Sequence, residues 1–338
     1  MISACIIAYN AENTIIDCLN SIKDYCSEIV IALDTKTTDE TRQRVYDWAR
    51  DNNPEDIHRG LENDGRQIGI VKLYDYEWLN DSFSEARNFT LSKATGEWIL
   101  IIDCDERLAN AITPDDSVDC YLVTARNYKD NIIVSDYWTP RLFKNNIGIE
   151  FRADTDEENW HCLKGTGKVV RLSNMILNHK EKSEKDALKK AKWLLKRNMK
   201  SLPNEAWNPY LRGQISHRHL MLGSLLKCIY YGAEAMVGAA EPEVKALQCV
   251  HLYRAFRMMR DASTDKQEAA EYWDHAIFWL KASVSACPQQ LSANALLYDF
   301  YKEENNVEAM QYHKDLLIKT GNNSLLPYDV KFENLNIN

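Results

Sequence analysis

The segment Glu97–Glu106, E-W-I-L-I-I-D-C-D-E, joins an unbroken apolar run to a cluster of carboxylates. The apolar part has the length of a strand and lacks the polar alternation of a half-buried one, which predicts a strand buried on both faces. Asp103 and Asp105 follow where that strand ends. We therefore predict that a central strand delivers two acidic side chains to one edge of a sheet.

Three further strands are predicted before this segment, at Ile2–Tyr9, Glu28–Leu33 and Ile68–Leu73. Apolar residues with a helical period lie between them, and Ser82–Lys93 is predicted as the helix before the fourth strand. Strands that alternate with helices indicate an α/β fold, in which helices cover both faces of a mostly parallel sheet.

Polar residues end three of the predicted strands, namely Asn10, Asp34 and Asp103. Right-handed crossovers place the carboxyl ends of parallel strands along one edge, and ligands of open α/β sheets bind at that edge. The three residues are therefore predicted to line a binding crevice.

The second half of the chain has a different pattern. Strands are predicted at Cys120–Ala125 and Trp138–Phe143 in antiparallel arrangement, and only helical periodicity follows from residue 183 onward. This change predicts an α/β domain at residues 1–182 and a helical domain at residues 183–338.

The last two predicted helices, Leu291–Glu304 and Val307–Lys319, resemble a tetratricopeptide pair. Such pairs bury their apolar faces only by stacking on neighbours. Because the repeat period is irregular, a plain helical bundle is an equal alternative.

Composition narrows the class of protein. Of 338 residues, 45% are hydrophobic and 27% are charged, which is typical of soluble globular domains. No apolar run approaches the roughly 20 residues that span a bilayer, and the N-terminus lacks the pattern of a secretory signal. Nine cysteines without a C-x-x-C pair argue against a zinc site and fit a reducing, cytoplasmic location.

The net charge of −9 disfavours nucleic-acid binding, which needs clustered Lys and Arg. One basic stretch, Lys185–Lys200, stands out from the acidic chain. Its helical spacing predicts a solvated helix face rather than a nucleic-acid site.

The carboxylate pair suggests a chemistry. Two carboxylates at positions i and i+2 of a strand end can converge on one divalent cation, and oxygen ligands suit Mg²⁺ or Mn²⁺. Such a cation would neutralise the charge that builds on a departing nucleoside diphosphate. D-x-D alone is a common pattern, since most acidic residues at strand ends are solvated turn formers.

Four ordered blocks give the pair a context. They are I-S-A-C-I-I-A-Y-N (2–10), E-I-V-I-A-L-D-T-K-T-T-D-E-T (28–41), D-S-F-S-E-A-R-N (81–88) and A-T-G-E-W-I-L-I-I-D-C-D-E (94–106). With these blocks the chain resembles family 2 glycosyltransferases of the GT-A fold, which is a Rossmann-like, mostly parallel sheet, here followed by an all-helical domain. A weaker similarity continues at R-L-F-K-N (141–145), His161 and N-H-K (178–180).

The resemblance implies a nucleoside site at the first two strand ends. Ala8, Tyr9 and Asn10 would contact the base and ribose, partly through the backbone, and Asp34 would hydrogen-bond the base or ribose. Uridine is the usual base in the family, so a UDP-sugar is the expected donor.

The resemblance also implies that Arg87 and Asn88 line the donor site, with Arg87 near the diphosphate. The alternative for Arg87 is a surface ion pair with Glu85 or Asp81.

The metal site implied by the resemblance contains both motif carboxylates. Asp105 would be the principal ligand of Mn²⁺ or Mg²⁺, and Asp103 would reach the ribose or the metal. His161 is a candidate for a further metal ligand, a diphosphate contact or a catalytic base, and a structural role is equally open.

Two departures from the family pattern bear on these roles. The second strand of the family ends in D-x-G-S-x-D, whereas this chain has D-T-K-T-T-D at Asp34–Asp39, and loss of the glycine makes the turn less permissive. The role of Asp39 is therefore open. A His-Glu pair of the family is replaced by His161-Cys162.

An inverting transfer needs a general base for the acceptor hydroxyl. The acidic loop before His161 supplies the candidates Asp154, Asp156, Glu157 and Glu158, and His161 itself is a further one.

The sequence thus predicts a metal-dependent, inverting glycosyltransferase. The alternatives are a nucleotidyltransferase, disfavoured because residues 10–14 lack glycine, and a non-catalytic scaffold built on the helical half. The acceptor is open among a glycan, a lipid-linked sugar, a protein and a modified nucleic-acid base. The helical half is expected to shape an acceptor site or a homodimer contact.

Overall fold

The structure is a computed structural model that describes residues 1–52, 59–60, 65–78, 82–129, 132–152, 159, 162–163, 166–180, 184–203, 208–288 and 290–321. Two compact units divide the chain, one containing Met1–Glu181 and the other Lys182–Val330. Each unit is described by itself.

In its described part, the first unit contains a single mixed sheet and three helices. The strands are β1 (Ile2–Ala8), β2 (Glu28–Asp34), β3 (Arg59–Gly60), β4 (Gly65–Ile68), β5 (Val71–Tyr76), β6 (Trp98–Ile101), β7 (Glu106–Asn110), β8 (Cys120–Lys129), β9 (Ile132–Lys144) and β10 (Val170–Lys180). The helices are α1 (Ile15–Ile22), α2 (Thr41–Asn52) and α3 (Phe83–Lys93). The sheet order is β3-β4-β5-β2-β1-β6-β9-β8-β10-β7.

The centre of the sheet is parallel, as the sequence predicted. Strands β5, β2, β1 and β6 run in one direction, and Cys5 of β1 pairs with Val30 on one flank and with Ile101 on the other. The α/β, GT-A-type architecture with a following helical region is therefore confirmed. Its consequence is that Asn10, Asp34 and Asp103 follow strands whose carboxyl ends share one edge.

Two cores sandwich this parallel centre because successive side chains of a strand point to opposite faces. Ala4 and Ile6 of β1 pack with α1 and α2, where Trp48 contributes the largest ring. Cys5 packs on the opposite face, which the α3 residue Phe89 covers. Each fully buried Ile or Leu of these strands stabilises the fold by about 1.5–3 kcal/mol.

The predicted strand Ile68–Leu73 is wrong in one respect. Strand β4 ends at Ile68 and β5 begins at Val71, so the segment contains a turn that joins two antiparallel strands. Gly69 has a φ of 56°, in the left-handed region that glycine adopts readily, and this allows the tight reversal.

The antiparallel pairing of β8 with β9 agrees with the predicted strands at 120–125 and 138–143. Strand β10 adds parallel to β8, and β7 adds antiparallel to β10 at the edge. Neither of these last two strands was predicted, because their sequences mix polar and apolar residues.

The described part of the second unit is helical, as predicted. Its helices are α4 (Glu184–Ser201), α5 (Pro209–Met221), α6 (Leu225–Gly238), α7 (Pro242–Ala262), α8 (Lys266–Ala286), α9 (Leu291–Glu303) and α10 (Val307–Gly321). Val250, Ala276, Leu280 and Leu297 form the centre of the α7, α8 and α9 core. The predicted helix pair corresponds to α9 and α10, and its tetratricopeptide character stays a prediction.

Within the described residues, no helix combines the length and the hydropathy needed to cross a bilayer. All nine cysteines are free thiols.

Candidate active site

The D-C-D-E segment forms a tight turn directly after β6. The amide of Asp103 donates to the Glu106 carboxylate at 2.8 Å, and the amide of Glu106 donates to the carbonyl of Asp103 at 2.9 Å. Cys18 of α1 also donates its thiol to that carbonyl, at 3.4 Å. The turn is thus fixed from within by Glu106, whose side chain is almost fully buried.

Two arginines from distant elements hold the Asp103 carboxylate. Arg87 of α3 is 2% exposed, and its Nη2 bonds Oδ1. Arg141 of β9 donates from Nη2 to Oδ2 at 3.3 Å, because antiparallel pairing of β9 with β6 brings it beside the strand end. Nη2 of Arg141 also lies 3.6 Å from Oε1 of Glu106. Arg87 is thus a buried partner of Asp103, and Asp81, one of its two alternative partners, lies outside the described residues.

The charges and burial of this cluster shift the pKa values of Asp103 and Glu106 in opposite directions. Burial alone would raise the pKa of Asp103, but the guanidinium groups of Arg87 and Arg141 hold it far below its ordinary value. Burial raises the pKa of Glu106 to about 7. The charge of Arg141 lowers this pKa, whereas the charges of Asp103 and Asp105 raise it.

Asp105 pairs with a histidine from the far end of the unit. Strand β10 places His179 opposite Glu106 of β7, and His179 Nε2 lies 3.1 Å from Asp105 Oδ2. Burial would lower the pKa of His179, but the hydrogen bond and charge of Asp105 outweigh it, so the pKa is raised. Within the described part of the chain, the buried Nδ1 atom of His179 has no hydrogen-bond partner.

The Asp105–His179 pair has ligand atoms of the kind, and at the separation, that a divalent cation binds. Carboxylate oxygen and imidazole nitrogen both bind Mn²⁺, and neighbouring ligands of an octahedral ion with bonds of about 2.1 Å lie about 3.0 Å apart. The distance of 3.1 Å between His179 Nε2 and Asp105 Oδ2 is close to that value. In the described part of the chain, no group of three or more His, Cys, Asp and Glu side chains could hold a metal.

The loops after β1 and β2 are tied together at the same edge. Thr41 Oγ1 accepts from the amide of Ala11 at 2.7 Å and donates to Asp39 Oδ1 at 2.5 Å. Asp39 Oδ2 accepts from the amide of Glu12 at 3.0 Å. These hydrogen bonds outweigh burial and lower the pKa of Asp39. Asp39 therefore joins the two loops that flank the crevice, although the usual glycine of the turn is missing.

The predicted nucleoside residues occupy this crevice edge. Asn10 has a φ of 46°, which asparagine tolerates, and its Oδ1 accepts from the amide of Thr38 at 2.9 Å. Asp34 is buried, and its Oδ1 accepts from the amide of Lys36 at 3.0 Å. Ala8 is buried.

Two aromatic residues lie beside that edge. The ring of Tyr9 is 49% exposed and lies 6.4 Å from the ring of Trp78, which is buried. The indole Nε1 of Trp78 has no hydrogen-bond partner among the residues that the structure describes. An exposed ring beside a buried, unused donor suits a planar ligand that carries acceptor atoms.

The side-chain amide of Asn88 bonds the backbone of Phe151. Its Nδ2 donates to the carbonyl of Phe151 and its Oδ1 accepts from the amide of Phe151, both at 2.8 Å. This reciprocal pair anchors the segment at Phe151 to α3.

The candidate bases lie outside the described residues. They are Asp154, Asp156, Glu157, Glu158 and His161. Four residues of the site were not assigned from the sequence, namely Trp78, Glu106, Arg141 and His179. Arg141 and His179 stand in two of the segments of weaker similarity, 141–145 and 178–180, and that similarity was the available signal.

Comparison with known proteins identifies the family of the chain. The model of the family described as Glycosyl transferase family 2 matches residues 3–171. The SPbeta prophage-derived glycosyltransferase SunS of Bacillus subtilis (strain 168) is 31% identical over 163 residues, which cover 45% of this chain and 33% of that protein. A TPR repeat-containing protein of Synechococcus elongatus is 31% identical over 107 residues, covering 32% of this chain and 21% of that protein. The matched stretches therefore span a third or less of these relatives.

A solved structure of residues 1–349 of S. aureus TarS in complex with UDP covers 97% of this chain and 94% of its own, with a TM-score of 0.40 and 15% sequence identity.

Proposed function

The chain belongs to glycosyl transferase family 2, and on that premise we propose that it transfers a sugar from a nucleoside diphosphate to an acceptor hydroxyl with inversion at the anomeric carbon. A UDP-sugar is the proposed donor. The observation that carries this proposal is the Asp105–His179 pair beside the Asp103–Arg87–Arg141 cluster, at the edge where β1, β2 and β6 end.

The nucleoside is proposed to lie along the ends of β1 and β2. Tyr9 offers an exposed ring for stacking, Asp34 a carboxylate oxygen for the base or ribose, and Trp78 an unused donor. The backbone at Ala8 and Asn10 completes this edge. Asn88 has its amide engaged by Phe151, so we assign it to positioning rather than to donor contact.

Mn²⁺ or Mg²⁺ is proposed to bind at Asp105 and His179. When bound, the cation would neutralise charge on the leaving nucleoside diphosphate. Asp103 is proposed to act as a positioning residue, because Arg87 and Arg141 engage both of its oxygens. Those arginines add positive charge beside the site, and this favours an anionic diphosphate.

The acceptor hydroxyl would attack the anomeric carbon from the face opposite the diphosphate while a general base takes its proton. Asp154, Asp156, Glu158 and His161 remain the proposed candidates for that base, and His161 remains a candidate for an additional metal ligand. Residues 1–182 are proposed as the catalytic domain. The helical domain is proposed to contact the acceptor or a second copy of the chain.

Turnover with a panel of nucleotide sugars tests this function. Purified protein with Mn²⁺ is expected to release nucleoside diphosphate from one of them, and His179→Ala should lower that rate at least about tenfold through loss of a metal ligand. Asp116→Ala removes an exposed carboxylate elsewhere in the same unit and should leave the rate unchanged. Release of pyrophosphate from a sugar phosphate and a nucleoside triphosphate would instead indicate a nucleotidyltransferase.

A further inference from the structure

Helix α4 differs in charge from the rest of the chain. It carries seven Lys and Arg residues and two acidic ones, in a protein whose net charge is −9. Both acidic residues stand in its first turn, at Glu184 and Asp186, and none occurs from residue 187 to residue 203. All charged residues of the helix after Asp186 are therefore Lys or Arg.

Five of the seven cations lie on one face. At 100° per residue, an arc of about 120° contains five lysines together with Trp193 and Met199. All seven side chains are exposed, and the lysines are Lys185, Lys189, Lys192, Lys196 and Lys200. The opposite face carries the buried residues Ala191, Leu194 and Asn198, and α4 contacts α5. We call the exposed arc the α4 basic face.

This face differs from an ordinary solvated helix surface in two ways. Solvated faces mix both signs of charge, whereas no described carboxylate forms an ion pair with any of these five lysines. Trp193 and Met199 are 40% and 38% exposed among the lysines, in positions where a purely solvated helix would carry polar residues.

The apolar pair suggests the nature of the partner. The guanidinium of Arg197 lies 4.9 Å from the centre of the Trp193 ring, so the indole is bordered by charge. Tryptophan and lysine are enriched together at the interface of a bilayer, where the ring sits at headgroup depth and the lysine stem extends to the phosphates. The α4 basic face has this combination.

From these observations we propose that the α4 basic face docks on an anionic lipid bilayer. Lysine-rich faces are attracted to anionic headgroups as point charges, whereas recognition of nucleotide phosphates favours the bidentate fork of arginine. Six of the seven cations of α4 are lysines. The proposal goes beyond the transfer reaction and does not depend on it, since it concerns where the enzyme is held and not what it transfers.

Vesicle co-sedimentation of the full chain tests the proposal. Vesicles of phosphatidylcholine are compared with vesicles that contain about 30% phosphatidylglycerol, in about 50 mM and about 500 mM NaCl, since screening weakens only the charge-driven part. Binding is expected only with the anionic vesicles, and it should fall several-fold at the higher salt concentration.

Two triple variants with equal net charge locate the surface. Lys189→Glu/Lys192→Glu/Lys196→Glu should lower vesicle affinity at least about tenfold, whereas Lys266→Glu/Lys281→Glu/Lys302→Glu, at exposed lysines of α8 and α9, should retain most of it. Trp193→Ser should weaken binding in high salt as well, because it removes the apolar part. Thermal melting and circular dichroism confirm that each variant is folded.

Four results would overturn the proposal. They are no binding to anionic vesicles, equal binding to phosphatidylcholine alone, equal losses in the two triple variants, and retention of the protein by an RNA oligonucleotide without retention by vesicles.

Discussion

At the scale of single residues, the site separates the roles of two carboxylates that stand two positions apart. Asp103 is neutralised by Arg87 and Arg141, whereas Asp105 faces His179. A metal ligand needs lone pairs directed at the ion, and a carboxylate held by two guanidinium groups has few to offer. The geometry therefore favours Asp105 over Asp103 as the ligand.

Arg141→Met tests the cation that joins Asp103 to Glu106. The variant leaves the half-buried Asp103 beside one arginine instead of two and removes the cation next to the buried Glu106. Loss of one partner of a buried ion pair costs about 3 kcal/mol of unfolding free energy. Urea unfolding measures the loss, and Arg141→Lys, which keeps the charge, should lose less. Equal stability of wild type and the Met variant would refute the ion-pair network.

Glu106→Gln tests the buried carboxyl of the turn. Because its pKa is raised to about 7, the folded state favours the protonated form, so the stabilisation is complete below pH 4.5 and is lost as the pH rises through 7. The Gln variant keeps an oxygen for the Asp103 amide but does not titrate. The difference in unfolding free energy between wild type and variant should thus shift in favour of the variant from pH 4.5 to pH 8. A difference independent of pH would contradict the assignment.

The sequence located Asp103 and Asp105 because a strand end is a local pattern. Their partners were not predictable in the same way, since Arg87, Arg141 and His179 lie 16, 38 and 74 residues along the chain from the carboxylates they contact. Only the register of β9 and β10 brings the last two residues to the turn.

At the scale of elements, the crevice depends on two loops that support each other. Thr41 at the start of α2 bonds the loop after β1 through the Ala11 amide and its own loop through Asp39. The hydroxyl is fully buried, so both bonds are shielded from water. Thr41 is therefore a buried link between the two loops, beside the Asp39–Glu12 and Asn10–Thr38 hydrogen bonds.

Thr41→Val tests that link, because valine keeps the shape and removes the hydroxyl. The loss of two buried hydrogen bonds should cost about 1–3 kcal/mol of unfolding free energy and raise the KM for the donor several-fold with little change in kcat. Thr38→Val, at an exposed position of the same loop, is the control. Equal donor KM in wild type and both variants would show that the loops do not depend on Thr41.

Elements with a single clear period were predictable, and those with a mixed pattern were not. Strands β1, β2 and β6 read as continuous apolar runs because both of their faces are buried. The turn at Gly69 was missed because apolar residues continue on both sides of it. Strand β7 was missed because its outer half is exposed at the edge of the sheet.

At the scale of the whole molecule, the family assignment rests on the first unit. The family match ends at residue 171, early in β10, whereas His179 lies beyond it. Four ordered motif blocks made the fold and the family predictable, since three of them contain a strand end and the fourth contains the start of α3. The acceptor was not predictable, because no local pattern in α4 to α10 encodes it.

The most direct test is the metal-dependent binding of UDP-sugars by wild type, Asp105→Ala and Asp116→Ala, measured by titration calorimetry with and without Mn²⁺. Asp105 and His179 are proposed to hold the cation that the diphosphate requires, so wild type and Asp116→Ala should bind a UDP-sugar only with Mn²⁺. Asp105→Ala should lose at least about tenfold in affinity, or about 1.4 kcal/mol. Binding that is equally tight in Asp105→Ala, or absent from wild type for every UDP-sugar tested, would contradict the account.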